Sequence, residues 1–187
     1  MLLVAATDAE LCGHDGLVCG IGPVEAAAAT ARALALRSFD AVLHVGLAGA
    51  RGLAPGSLVV GTEGVYADLA AEWPVVERVA ADARLVETLR AALPEAEAMP
   101  IHTSAAVGAS DVSSQAPLVE AMEGFGVLRA AALAGVPAVE VRAISNELGE
   151  VDRARWDIEG ALSALERALP AITSAVREAL APGREVS

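Results

Sequence analysis

Short apolar runs alternate with Ala-rich stretches along almost the whole chain, and the polar residues gather where the runs end. Residues 2–6 (Leu-Leu-Val-Ala-Ala) form a continuous apolar run, the pattern of a strand buried on both faces, and it breaks at the polar cluster Thr7, Asp8 and Glu10. Residues 17–21 predict a second strand, and Gly22-Pro23 then turns into an Ala-rich helix over 24–37, with the proline tolerated at the helix start because the N–H it lacks would be unpaired there. Residues 41–45 repeat the apolar run and lead into the small-residue stretch 46–52, where missing side chains let the backbone approach something closely. Short strands are predicted at 58–60 and 65–66, a helix at 82–93 stopped by Pro94, and a strand at 100–103. Residues 118–122, 123–134 and 138–144 then read as strand, helix and strand, a βαβ unit with Gly135 and Pro137 stopping the helix. One or two closing helices, divided at Pro170, occupy 157–180, and 181–187 reads as a frayed tail.

This alternation predicts one α/β domain over residues 1–187: three layers, with a central, mostly parallel mixed sheet flanked by helices. Composition agrees, because 55% of the residues are hydrophobic and only 3% aromatic, which suits thin Val- and Leu-rich strands under Ala-rich helices. The formal charge of −12 repels nucleic acid and anionic membranes, so neither is an expected partner. The N-terminal apolar run lacks a basic leader and meets Thr7-Asp8 too soon for a signal peptide, and no apolar stretch reaches bilayer length, so the protein is expected in the cytoplasm.

Several chemistries fall away. Gly20-Ile-Gly-Pro-Val-Glu25 puts a carboxylate where a dinucleotide fold needs its third glycine. Three scattered histidines and two cysteines, Cys12 and Cys19, match no metal-ligand spacing, so no metal or other cofactor is expected and the cysteines read as core thiols. No serine sits in a nucleophile elbow. What remains are polar groups at strand ends: Glu10, Glu123, and Ser145 with Asn146. Such ends can converge on a ligand in a doubly wound sheet. A solvated Glu10 and a Glu123 that merely charges a helix N-terminus explain them as well.

The block running from Met122-Glu123 through Arg142-Ala-Ile-Ser-Asn146 resembles the nucleoside phosphorylase and nucleosidase superfamily, in which a Met-Glu pair opens a helix and the next strand ends in Arg-Ala-Ile-Ser-Asp/Asn. Gly20 to Ala27, Val45 to Gly49 and Gly56 to Val60 are similar to further blocks in the same order. Asn rather than Asp at position 146, the context of Phe125 and the segment Asp152-Arg-Ala-Arg-Trp156 are similar to the futalosine hydrolase family within that superfamily.

The resemblance implies hydrolysis of a purine nucleoside, futalosine giving hypoxanthine on a menaquinone route, by a homo-oligomer. It implies Glu10 as the base that orients and deprotonates water, Asn146 as the group that stabilises the leaving purine, Glu123 as acceptor for the ribose hydroxyls, and Met122 beneath the sugar. Gly46 and Gly49 would bring backbone close to the base or the water, while Arg142 and Arg51 are the nearest cations for a carboxylate on the futalosine tail. An Asn amide can donate to O6 or N7 of a 6-oxopurine, which favours hypoxanthine over adenine. The stacking aromatic that relatives carry is missing from residues 105–108. A methylthioadenosine nucleosidase, a phosphorolytic enzyme and a nucleoside-binding module without activity remain as alternatives.

Overall fold

The computed structural model describes residues 1–69, 72–106 and 118–181, so the tail expected at 182–187 lies outside the described residues. Among the described residues eight strands form one sheet: β1 (Leu2–Ala5), β2 (Leu17–Val18), β3 (Val42–Arg51), β4 (Leu58–Tyr66), β5 (Arg78–Ala80), β6 (Glu97–Thr103), β7 (Leu118–Ala121) and β8 (Ala138–Glu147). The α-helices among the described residues are α1 (Pro23–Leu36), α2 (Ala83–Ala92), α3 (Gly124–Ala134) and α4 (Ile158–Leu180).

The period of two along the central strands builds the layers. Leu2, Val4 and Val42 pack with Phe125, Val127 and Leu128 on the side of α1 and α3. Their neighbours Leu3, Ala5, Leu43 and Val45 pack with Leu85, Leu89, Leu165 and Leu169 on the side of α2 and α4. Pairing is parallel for β1 with β2 and β3, β3 with β8, and β6 with β4 and β7, and antiparallel for β3 with β7 and β4 with β5 and β8. Followed from strand to strand, β3, β8, β4, β6 and β7 return to β3 and close a ring. The mixed, mostly parallel sheet therefore curls at one end, and Ala48, Ala50, Val59, Ile101, Val119 and Ile144 fill the curl.

Several elements differ from the reading of the chain. The separate strands expected at 58–60 and 65–66 are one strand, β4; β5 falls where no element is expected, and β6 begins at Glu97, ahead of the expected 100. β3 does not stop at Val45 but continues through the glycines to Arg51, because β8 on one side and β7 on the other supply ladder partners for the glycine backbone. The second strand shrinks to two residues, since Gly20 (φ 84°) and Gly22 (φ 99°) turn the chain toward α1. α4 runs unbroken through Pro170, whose ring is exposed, while Thr173 Oγ1 bonds the Leu169 carbonyl at 2.8 Å on the inner side.

Candidate active site

β1, β3 and β8 are mutually parallel, so their C-terminal ends lie at one edge of the sheet. The chain leaves β1 into a single 3₁₀ turn, Ala9–Leu11, that buries Glu10. Its carboxylate is held from both sides: Oε1 accepts from the Leu47 N–H at 3.0 Å, and Oε2 accepts from the Thr7 N–H at 3.0 Å and the Thr7 hydroxyl at 2.8 Å. Glu10 is 7% exposed, so it is not a solvated surface acid. β7 runs back along β3, with Glu120 opposite Gly49, and this returns Met122 and Glu123 to the level of Gly46 and Leu47.

Glu123 stands at the N-terminus of α3 but makes no cap hydrogen bond there. Its Oε1 instead accepts from the Gly22 N–H at 3.1 Å, and Oε2 lies 3.4 Å from Arg142 Nη2. A carboxylate kept only for the helix dipole would face its own helix, and this one is turned inward.

Asn146 closes the third side from the end of β8. Its Oδ1 accepts from the Ser145 hydroxyl at 2.8 Å and its Nδ2 donates to the Glu147 carbonyl at 3.0 Å. A flipped amide would set oxygen against that carbonyl, so the network fixes the orientation and leaves Nδ2 with a second hydrogen to give.

These residues surround one cavity of ≈ 280 Å³ lined, among others, by Glu10, Gly49, Met122, Glu123 and Asn146. Gly46 is the exception among the expected binding residues. It is buried and does not line the cavity; a Cβ there would meet Arg142 Nη1 and come within 2.6 Å of Glu10 Oε1, so the missing side chain makes room for those two groups and not for substrate. Gly49 does line the cavity, and a Cβ on it would sit 2.8 Å from Asn146 Nδ2. Gly49→Ala is accordingly expected to push the Asn146 amide aside and lower turnover by about 10²-fold, as a displacement of roughly 1 Å can. Steady-state kinetics beside a thermal melt would check this, the melt separating misplacement from unfolding.

Arg142 lies behind the site and cannot meet a substrate tail: it is fully buried. Its Nε bonds Glu140 Oε1 at 2.6 Å, Nη1 donates to the Leu47 carbonyl at 3.3 Å, and Nη2 faces both Glu123 and His44 Nε2. His44 donates from Nδ1 to the Val4 carbonyl at 3.0 Å, which leaves Nε2 as the acceptor; burial first, and the Arg142 charge next, hold its pKa well below the ordinary value. Burial opposes the Arg142 charge, but Glu140, Glu123 and Glu10 together hold it above its usual range. Burial pushes the Glu140 carboxyl up in spite of Arg142, and Oε2 of Glu140 has no hydrogen-bond partner among the described residues. Glu140 and Glu123 thus share one guanidinium, with Glu10 close enough to act on it as well.

The model of the Phosphorylase superfamily matches residues 16–181. The chain is 40% identical over 183 residues to the futalosine hydrolase of Streptomyces coelicolor, covering 84% of this chain and 77% of that one. It is 39% identical over 184 residues to the futalosine hydrolase of Acidothermus cellulolyticus, covering 86% of this chain and 75% of the relative. The chain belongs to the futalosine hydrolase family of the Phosphorylase superfamily.

Solved structures agree on the fold. A futalosine hydrolase mutant from Helicobacter pylori superposes with a TM-score of 0.81 at 18% identity, covering 92% of this chain and 97% of that one. A 5′-methylthioadenosine/S-adenosylhomocysteine nucleosidase from Neisseria meningitidis, in complex with methylthio-immucillin-A, gives 0.80 at 20% identity, again over 92% and 97%.

Within this futalosine hydrolase frame, three cavity residues escaped the reading of the sequence as site residues. Arg153, exposed, and Trp156, half-buried, line the cavity, with the guanidinium 5.6 Å from the ring centroid and the indole N–H held by the Glu150 carbonyl at 3.0 Å. Glu120 lies deeper, 7% exposed, and nothing in a strand read as apolar marks it except that it shares a face with Met122 two residues on. Arg51 ends β3 and is not among the residues around the cavity. Cys19 is core, pushed up to about 11 by burial and by the Glu123 carboxylate, and is no nucleophile at neutral pH; Cys12 is only partly buried. Of residues 105–108, where a stacking aromatic is missing, 107 and 108 lie outside the described residues. Among the described residues no His, Cys, Asp or Glu cluster could hold a metal, and no helix is long and apolar enough to cross a membrane.

Proposed function

We propose that this chain hydrolyses the N-glycosidic bond of futalosine and releases hypoxanthine. The observation that carries the reading is the meeting of Glu10, Glu123 and Asn146 around a single cavity. Cleavage of an N-glycoside develops positive charge on the ribose and negative charge on the departing base, so a catalyst must act at both ends. At the sugar end, Glu10 takes the proton of the attacking water; two hydrogen bonds to Oε2 and one to Oε1 hold the carboxylate still and leave a lone pair on Oε1 for that water. Glu123 accepts from the ribose 2′- and 3′-hydroxyls and places negative charge beside the developing oxocarbenium ion, with Met122 packed under the ring. At the base end, the remaining Nδ2 hydrogen of Asn146 is donated to N7 or O6 as charge builds on the purine.

Phosphorolysis would need a cradle of cations and N–H groups for phosphate. Among the described residues the guanidinium on the cavity wall is Arg153, exposed beside Trp156, and it is read as the partner of a carboxylate on the substrate tail, whereas Arg142 is spent on carboxylates. Purified protein incubated with futalosine, aminodeoxyfutalosine, methylthioadenosine and inosine, with and without phosphate, is expected to release hypoxanthine from futalosine at a rate indifferent to phosphate, followed by chromatography of the free base. Release that strictly requires phosphate would defeat the hydrolase reading, and no release from any of the four would favour a binding module.

A further inference from the structure

We infer that Glu120 is the residue that selects a 6-oxopurine over a 6-aminopurine, by accepting a hydrogen bond from N1–H of the base. The inference rests on the nucleosidase reading and carries it to the purine edge. Strand register puts the residue there. Gly49 of β3 is the Cα partner of Glu120 on β7 and of Asn146 on β8, so the three lie side by side on neighbouring strands. Registered partners point their side chains to the same face of a sheet. That face is the one on which the Asn146 amide leans over Gly49, because a Cβ built on Gly49 would meet Nδ2 at 2.8 Å. All three residues line the cavity, and Glu120 and Asn146 are 7% and 6% exposed.

The cavity floor therefore sets an amide donor and a carboxylate one strand to either side of a glycine. A 6-oxopurine has acceptors at N7 and O6 and a donor at N1, so the remaining hydrogen of Asn146 Nδ2 serves one of the first pair and Glu120 serves the third. Adenine reverses the pattern at this edge, with a lone pair at N1 and an amine at position 6. An ionised carboxylate has only lone pairs to offer, so it attracts N1–H and repels a bare N1. Its two oxygens offer about four acceptor sites, and a partner elsewhere leaves capacity for the base. Selectivity in such a site comes from the mispaired competitor, which leaves buried polar groups without partners.

The test compares wild type with Glu120→Gln and Glu120→Asp in two assays. The first is kcat/KM for futalosine against aminodeoxyfutalosine, and the second is equilibrium binding of free hypoxanthine against free adenine. Glu120→Gln is expected to lower the preference for the oxo form by about 10-fold or more in both assays, since a charged hydrogen bond is replaced by a neutral one, with the kinetic change mainly in KM. Glu120→Asp, which keeps the charge, is expected to recover part of the preference. A Glu120→Gln protein that binds hypoxanthine and adenine in the wild-type ratio would overturn the inference, as would an equal loss for both nucleosides, the mark of a merely structural role. If the wild type releases no base from any nucleoside, the hydrolase reading falls while the ratio of the two base affinities still decides the role of Glu120.

Discussion

Replacing Glu10 with Gln is expected to reduce hypoxanthine release from futalosine by about 10²–10⁴-fold, the span over which a positioned general base contributes. The substitution is close to isosteric, and the carboxylate it removes is ordered by three donors: the Leu47 N–H on one oxygen, the Thr7 N–H and hydroxyl on the other. An amide can offer its single oxygen to only one of these sets. With that oxygen on Thr7, its NH₂ confronts the Leu47 N–H, which costs about 1–3 kcal/mol and shows as a modest fall in melting temperature. Binding of futalosine, measured by calorimetry on the inactive variant, is expected to stay close to wild type, because the groups proposed to hold the sugar and base, Glu123, Met122, Glu120 and Asn146, are unchanged. Turnover that survives Glu10→Gln would remove this residue from the mechanism.

Arg142→Met is expected to destabilise the fold by about 3–5 kcal/mol at neutral pH, the usual consequence of removing one partner of a buried ion pair. The cation it deletes is fully buried between Glu140, also fully buried, and Glu123, whose side chain is 6% exposed. Both carboxylates would be left without their counter-charge, and Glu140 already has one oxygen with no partner among the described residues.

The pH dependence follows from the direction of the Glu140 shift. Its pKa in the folded protein is raised above 4.5, burial being the largest cause, so between 4.5 and that raised value the folded state holds a proton the unfolded chain has released. Stability from this group is therefore present below 4.5 and is lost as pH rises through the window. Removing the Arg142 charge raises the carboxyl further and widens the window. Denaturant midpoints of wild type and variant are expected to lie closest together in mild acid and farthest apart above neutrality. A gap independent of pH would mean that packing, and not the ion cluster, accounts for the loss.

The apolar runs and Ala-rich stretches determined the α/β class and most of the elements, because burial on two faces or along one stripe leaves a local period that can be read without coordinates. The sequence, through its polar strand ends and the resemblance of its motif blocks, also singled out Glu10, Glu123 and Asn146 as the groups worth joining. What it could not decide is which residues stand opposite one another. Glu123 receives the Gly22 N–H across 101 positions of chain, Arg142 is walled in by residues from four strands and their ends, and Glu120 faces the cavity because Gly49 sets its register against Asn146. Gly46 stands outside the cavity lining for the same cause: its small size answers to Glu10 and Arg142, which reach it from distant parts of the chain. Periodicity is a property of neighbours along the backbone, whereas strand register and the shape of a cavity depend on long-range packing, so the catalytic candidates are legible in the sequence and the floor and support beneath them appear only once the sheet has closed.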